Sequence, residues 1–212
     1  MSKLRAKKIK LILFDVDGVL TDGKIWIFPA PSGTQQTVLE QSATAGAPSK
    51  LRLGGHAEDV GLQTTSLIEA KGFHAHDGTA ISLARLAGIK TGLITKRISE
   101  TVALRARDLK IDHVYQGKQD KLTVFRQILE KAGITADEAA FVGDDVIDLP
   151  VMRNCGFAVA VKNARPEVKA EAHWVTSHAG GDGAARDAVE YILKAQGKWK
   201  KAVDEYTAER GG

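Results

Sequence analysis

Short apolar runs alternate along the chain with stretches of helical spacing. Lys10 to Phe14 is the first run, and Thr91 to Thr95, His113 to Tyr115, Ala139 to Val142, Phe157 to Val161 and His173 to Thr176 repeat it. Runs of this length, bounded by polar or glycine-containing segments, predict buried strands. Helical spacing occupies Thr79 to Leu86, Ser99 to Leu109, Lys121 to Ala132, a short piece at Leu149 to Arg153, and Ala184 to Ala195. In Lys121 to Ala132, the positions Leu122, Phe125, Ile128, Leu129 and Ala132 share one face, and Gly133 stops the helix. Ala185, Ala188, Val189 and Ile192 form the same kind of face in the last helix. Strands spaced by helices mean βαβ units, a parallel sheet and helices on both sides, which is a three-layer α/β/α sandwich.

Gly23 to Gly72 breaks this rhythm. It carries Pro29, Pro31, Gly33, Pro48, Gly54 and Gly55 around a Thr/Gln/Ser-rich middle, with strand propensity at Lys24 to Phe28 and Leu62 to Ile68. We read residues 1–212 as one domain with an insertion at 24–71, built as a hairpin with a long tip. No internal repeat is evident.

Composition narrows the class without naming a function. With 212 residues, 43% hydrophobic and 26% charged, the chain is globular, and one of this size buries roughly 70% of its unfolded surface without staples. The single cysteine, Cys155, has no internal partner, which suits a reducing compartment such as the cytoplasm; beside Gly156 it reads as a small buried hydrophobe. The run after Lys10 is cut by Asp15, too early for a secretory signal, and no stretch approaches the ~18 apolar residues of a membrane span. The net charge of +4 comes largely from the two ends, in Lys3, Arg5, Lys7 and Lys8 and in Lys194, Lys198, Lys200 and Lys201. Basic ends without an interior basic stripe interleaved with aromatics argue for solvated termini rather than a nucleic-acid or membrane partner.

The candidate chemistry falls where a parallel sheet places ligands, beyond the carboxyl ends of its strands. Asp15-Val16-Asp17-Gly18 follows the first strand, and its two acids point the same way if extended geometry continues. An Asx turn is the plain alternative. Gly143-Asp144-Asp145-Val146-Ile147-Asp148 places a second acidic tip after a later strand, so the two tips together suit a hard cation such as Mg2+. Helix capping is the competing account of Asp144, Asp145 and Asp148. Thr95 ends the strand Gly92-Leu93-Ile94, and Lys121 opens the amphipathic helix.

The order of these four elements resembles the haloacid dehalogenase superfamily of phosphatases. Asp15-Val16-Asp17-Gly18, Thr95, Lys121 and Gly143-Asp144-Asp145-x-x-Asp148 stand at its four motifs. More closely, the chain is similar to the 3-deoxy-D-manno-octulosonate 8-phosphate phosphatases, through Asp15 to Gly23, Phe73 to Gly78, Tyr115-Gln116-Gly117 with Lys121, Val142 to Met152, and Ala179 to Arg186. That resemblance implies a Rossmann-like sheet without a separate cap domain, with an enlarged flap in the insertion. It implies Asp15 as nucleophile and Asp17 as acid/base. Magnesium would be held by Asp15, the Asp17 carbonyl and Asp144, with Asp145 and Asp148 supporting these ligands from behind. Thr95 and Lys121 would bind the transferring phosphoryl group, and Arg97, Asp77 and Arg186 complete the expected phosphate- and substrate-binding set. The implied reaction is hydrolysis of an acidic sugar phosphate by a cytoplasmic homotetramer. The alternatives are the same chemistry on a nonulosonate 9-phosphate or another small ester, and a catalytically silent scaffold.

The chain departs from the family's pattern in places. Lys96 precedes Arg97 where glycine is common, His76 precedes Asp77 where arginine is common, and Asp182 stands in the glycine-rich tail where arginine is common. These changes bear on the substrate rather than on the reacting groups. His74 and His76 share a spacing that suits a transition metal but lack a nearby third ligand. Gly180-Gly181-x-Gly183 lacks the spacing of a dinucleotide fingerprint, and the chain has no Gly-x-Ser-x-Gly elbow.

Overall fold

The computed structural model describes residues 2–30 and 67–209. The chain divides into two units, Met1–Ile25 with Lys71–Gly212, and Trp26–Ala70. The larger unit is built on a six-stranded sheet. Its strands are β1 (Leu11–Phe14), β4 (Lys90–Ile94), β5 (His113–Tyr115), β6 (Ala139–Gly143), β7 (Phe157–Ala160) and β8 (Trp174–Val175), in the order β5-β4-β1-β6-β7-β8. Every neighbouring pair is parallel. The smaller unit contains the antiparallel pair β2 (Trp26–Pro29) and β3 (Leu67–Ala70), with Trp26 opposite Ala70. The expected hairpin is thus present at its base, and the rest of the expected tip, with most of Leu62 to Ile68, lies outside the described residues.

Two groups of helices flank the sheet, giving the predicted layers. On one side α1 (Ser2–Ala6), α2 (Ala75–Leu86), α7 (Ala184–Ala195) and α8 (Trp199–Ala208) pack on one another. On the other, α4 (Lys121–Ala132), α5 (Leu149–Met152) and α6 (Pro166–Glu171) pack near β4, β6 and β7. Helix α3 (Glu100–Asp108) buries Val102 and Ala106. The core centres on β1, whose Leu11, Ile12, Leu13 and Phe14 are all fully buried, with Phe125, Phe141 and Phe157 around them. Each such side chain contributes about 1.5–3 kcal/mol by leaving water.

Local chemistry explains the sharpest boundaries. Helix α4 starts where the Asp120 side chain accepts from Thr123 N at 3.0 Å, and it ends at Gly133, which adopts the left-handed conformation at φ 66°. Both ends agree with the sequence reading. Helix α8 does not appear in that reading, whose last helix ends at Ala195. Its Trp199, Ala202, Val203 and Tyr206 nevertheless have helical spacing, and they pack against the core. Helices α1 and α6 were also unexpected, because each buries a single side chain, Ala6 and Val168, and shows no period.

β1 lies at the centre, with β4 on one side and β6 on the other. The chain steps outward from β1 to β4 and β5, then returns to β6 across β1. This reversal opens a crevice at the carboxyl ends of β1, β4 and β6. Phe14 is in register with Leu93 and with Val142, so Asp15, Thr95 and Asp144 all emerge along that rim.

Candidate active site

Asp15 directly follows β1 and is buried, with its N–H donating to Val142 O at 3.0 Å. Its Oδ1 accepts from Val16 N at 2.7 Å and lies 2.9 Å from Lys121 Nζ. Lys121 is buried at the start of α4, and its Nζ also donates to Asp148 Oδ1 at 2.8 Å. One ammonium therefore serves two carboxylates. Burial, then the charge of Asp148, pushes Asp15 up to about 6 despite the opposing pull of Lys121. Burial acts to lower the Lys121 pKa, but Asp148 and Asp15 outweigh it and hold that pKa above the usual lysine value. The two shifts agree once the lysine is recognised as shared.

Asp144 continues β6 into the same crevice. Carboxylate oxygens of Asp15, Asp144 and Asp148 lie within 4.8 Å of one another. Asp144 Oδ1 is buried and meets no hydrogen-bond donor among the described residues. Burial, followed by the charges of Asp148, Asp15 and Asp145, pushes Asp144 up to about 7. Gly18 makes the convergence possible: it has φ +91°, and a Cβ there would fall 2.2 Å from Asp144 Oδ2. Three acids sharing one small volume, with a stranded oxygen, make an all-oxygen donor set that fits a magnesium ion.

Asp148, expected behind the metal's ligands, contributes an oxygen to this group while remaining tied to the protein. It is fully buried, and its Oδ2 accepts from Asp144 N at 3.0 Å. Asp145 turns away. It is exposed, and its Oδ1 accepts from Val146 N at 2.7 Å as the cap of the short 3-10 turn Val146–Asp148.

Asp17 sits half-buried two residues beyond Asp15, and two cationic side chains meet its carboxylate. Lys71 is ion-paired with Asp17 Oδ1, and Arg97 Nε is 3.9 Å from Asp17 Oδ2. Thr95 is buried at the end of β4, and its Oγ1 accepts from Arg97 N at 3.4 Å. Lys71 was missed in the sequence, where it marks only the end of the insertion. Its one sequence signal is its place at the return from that insertion, which carries no chemistry by itself.

The remaining expected residues make other contacts. Asp77 is buried in the first turn of α2, where its Oδ1 accepts from Arg186 N at 2.8 Å. Helix α7 begins at Gly183 without a side-chain cap of its own, so Asp77 supplies one from another helix. The Arg186 side chain reaches Glu190 Oε2 at 3.1 Å and stacks over Trp199 at 4.7 Å. The glycine-rich tail packs on the loop after Asp17: Gly181 N donates to Val19 O at 3.0 Å, and a Cβ on Gly180 would fall 1.7 Å from Gly18 O. His74 and His76 meet edge to face at 4.9 Å, and among the described residues they form no three-ligand group. Cys155 is buried, and burial pushes its thiol up to about 12.

Residues 90–186 match the haloacid dehalogenase-like hydrolase family. The chain is 36% identical to 3-deoxy-D-manno-octulosonate 8-phosphate phosphatase KdsC of Escherichia coli K12 over 198 residues, which is 93% of this chain and 86% of that protein. The chain belongs to the 3-deoxy-D-manno-octulosonate 8-phosphate phosphatase family of haloacid dehalogenase-like hydrolases. Among solved structures, it resembles the family member from Yersinia pestis, with a TM-score of 0.75 and 32% identity over 94% of this chain and 88% of that one. It also resembles the enzyme from Moraxella catarrhalis in complex with magnesium, phosphate and KDO, with a TM-score of 0.75 and 32% identity over 96% and 97% of the two chains. No helix among the described residues is long and apolar enough to cross a membrane.

Proposed function

We propose that the protein is a magnesium-dependent phosphomonoesterase that works through an aspartyl-phosphate on Asp15 and hydrolyses an acidic sugar phosphate of the 3-deoxy-D-manno-octulosonate 8-phosphate type. The observation that carries this reading is the convergence of the Asp15, Asp144 and Asp148 carboxylates on one point, with Lys121 between two of them. An Asp15 oxygen forms a bond to phosphorus as the bond to the sugar oxygen breaks. The electron pair stays on that sugar oxygen, which takes a proton from Asp17. In the second step a water oxygen bonds to phosphorus, the Asp15–phosphorus bond breaks, and the water proton passes to Asp17.

Lys121 and Thr95 hold the phosphoryl oxygens, and Arg97, beside Asp17, contacts the substrate. Asp15, Asp144 and the Asp17 carbonyl would hold the metal, and Asp148 orients Lys121 and Asp144. Bound magnesium supplies charge neutralisation, letting an anionic ester approach several carboxylates. Asp77 and Arg186 shape the site from a distance through the start of α7.

The homotetramer is what the family resemblance implies, and the exposed Trp26, Ile27, Phe28 and Ile68 of the β2–β3 pair are apolar surface that subunit assembly would cover. The insertion at 24–71 then serves as a flap and assembly element of a single-domain enzyme, which we place in the cytoplasm. Phosphate release from a panel of octulosonate, nonulosonate and simpler phosphate esters, with and without magnesium, tests the assignment. Selective, magnesium-dependent turnover of the octulosonate ester supports it, and preference for the nonulosonate ester would move the assignment to that substrate. A wild-type protein inactive on every ester would leave the scaffold reading.

A further inference from the structure

Lys71 has an unusual setting for a lysine. Its side chain is 0% exposed, and its ammonium pairs with Asp17 Oδ1, whose side chain is 23% exposed. The two residues are 54 positions apart, separated by the whole β2–β3 excursion. A buried ammonium is costly unless paired, so this contact orients both partners. Arg97 lies on the other carboxylate oxygen, Oδ2, at 3.9 Å. The two oxygens of Asp17 thus have different neighbours, one enclosed and one towards the more exposed Arg97.

We infer that Lys71 is a positioning residue for Asp17: by donating to Oδ1 it leaves Oδ2 as the oxygen that carries the transferable proton and aims it at the leaving oxygen. The inference rests on the proposed phosphatase reading and adds a group outside the four motifs that suggested it. The physical reason is geometric. An oxygen that accepts from an ammonium cannot also present a proton along that direction, and a carboxyl with one oxygen tethered has little freedom to rotate. Proton transfer falls steeply when donor and acceptor lose alignment. Asp15, by contrast, is held by Val16 N and Lys121, so loss of Lys71 leaves the nucleophile's contacts in place.

Leaving-group dependence separates positioning from simple packing. An alkyl phosphate must receive a proton as its ester bond breaks, whereas p-nitrophenolate departs without one. In the full-length protein with magnesium, Lys71→Met should lower kcat/KM for the best sugar phosphate by about 10- to 100-fold, and for p-nitrophenyl phosphate by no more than about threefold. Lys71→Gln, which keeps a donor of different reach, should show the same bias to a smaller degree. Adding Lys71→Met to Asp17→Asn should produce no further leaving-group bias, because Lys71 acts through Asp17. Equal losses on both esters, or undiminished sugar-phosphate turnover, would overturn the inference. So would failure of both Lys71 variants to fold, which would assign the residue to stability. Absence of wild-type turnover on either ester would instead refute the phosphatase reading itself.

Discussion

Asp15 and Asp77 are both buried aspartates at the edge of a secondary-structure element, yet their surroundings ask opposite things of them. Burial raises the pKa of each. Around Asp15 the protein gathers two further carboxylates and gives them one shared ammonium, leaving an excess of negative charge and a stranded oxygen on Asp144. Around Asp77, whose Oδ2 is also buried without a hydrogen-bond partner among the described residues, it gathers no further carboxylate cluster but a backbone N–H, that of Arg186, and uses the other oxygen to begin a helix. The first arrangement is a crowd of acids that suits a cation, whereas the second ties the start of one helix to another through a single hydrogen bond. Burial alone therefore does not mark a reactive acid, and the identity of the neighbours decides.

The largest expected effect tests that contrast at its centre. Asp15→Asn should lower turnover by about a thousandfold or more, because an amide does not attack phosphorus, while Asp77→Asn should stay within about twofold. Steady-state phosphate release on the same substrate checks both. A comparable collapse in Asp77→Asn would show that Asp77 belongs to the substrate site after all.

Metal dependence sharpens the same contrast. Chelation should abolish activity and added magnesium restore it, and Asp144→Ala should raise the magnesium requirement by about tenfold or more. The metal-free protein should also report the crowding through pH. Asp15 at about 6 and Asp144 at about 7 both lie above the value of 3.8 for a free aspartate. Between these limits the folded state keeps protons that the unfolded state has released, so stability should fall as pH rises from about 4 to about 7. Magnesium, by favouring the ionised cluster, should flatten that slope. Thermal melts across this range, with and without the ion, measure it; a metal-free melting temperature that rises through the window would contradict the shifts.

Asp148→Ala should act on both stability and rate. It strips Lys121 of one partner and Asp144 N of its acceptor, and disrupting a buried pair of this kind costs roughly 3 kcal/mol. Denaturant unfolding in the presence of magnesium reads this loss. The smallest effect belongs to Asp77→Ala, which removes the acceptor at the start of α7 and should cost about 1 kcal/mol with near-normal turnover. A loss of turnover without a loss of stability would reverse the assignment.

The fold was largely readable from local pattern. Lys121–Ala132 and Ala184–Ala195 are helices with the boundaries their apolar faces implied, and the six predicted strands all lie in the sheet. The misses have two causes. Helices α1 and α6 each anchor through a single buried side chain, too little to create a period, while α8 had a readable period that the sequence reading left unassigned. In the candidate site, Asp15 and Asp144 stood out because acids after apolar strands are conspicuous. Lys71 did not, because a lysine after an irregular segment looks like any solvated lysine.

By itself the sequence determined the alternation of strands and helices, the acidic tips at the ends of β1 and β6, and the family. Those properties depend on neighbours a few positions away, through backbone hydrogen bonding and side-chain period. Only the tertiary structure decided which buried polar group meets which. It brought Lys71 to Asp17, Asp77 to the backbone of Arg186 across 109 positions, and Asp148 to both Lys121 and Asp144. Such partners are chosen because a buried charge or amide must find a complement in low-dielectric surroundings, and the complement is whatever the folded chain carries past that point.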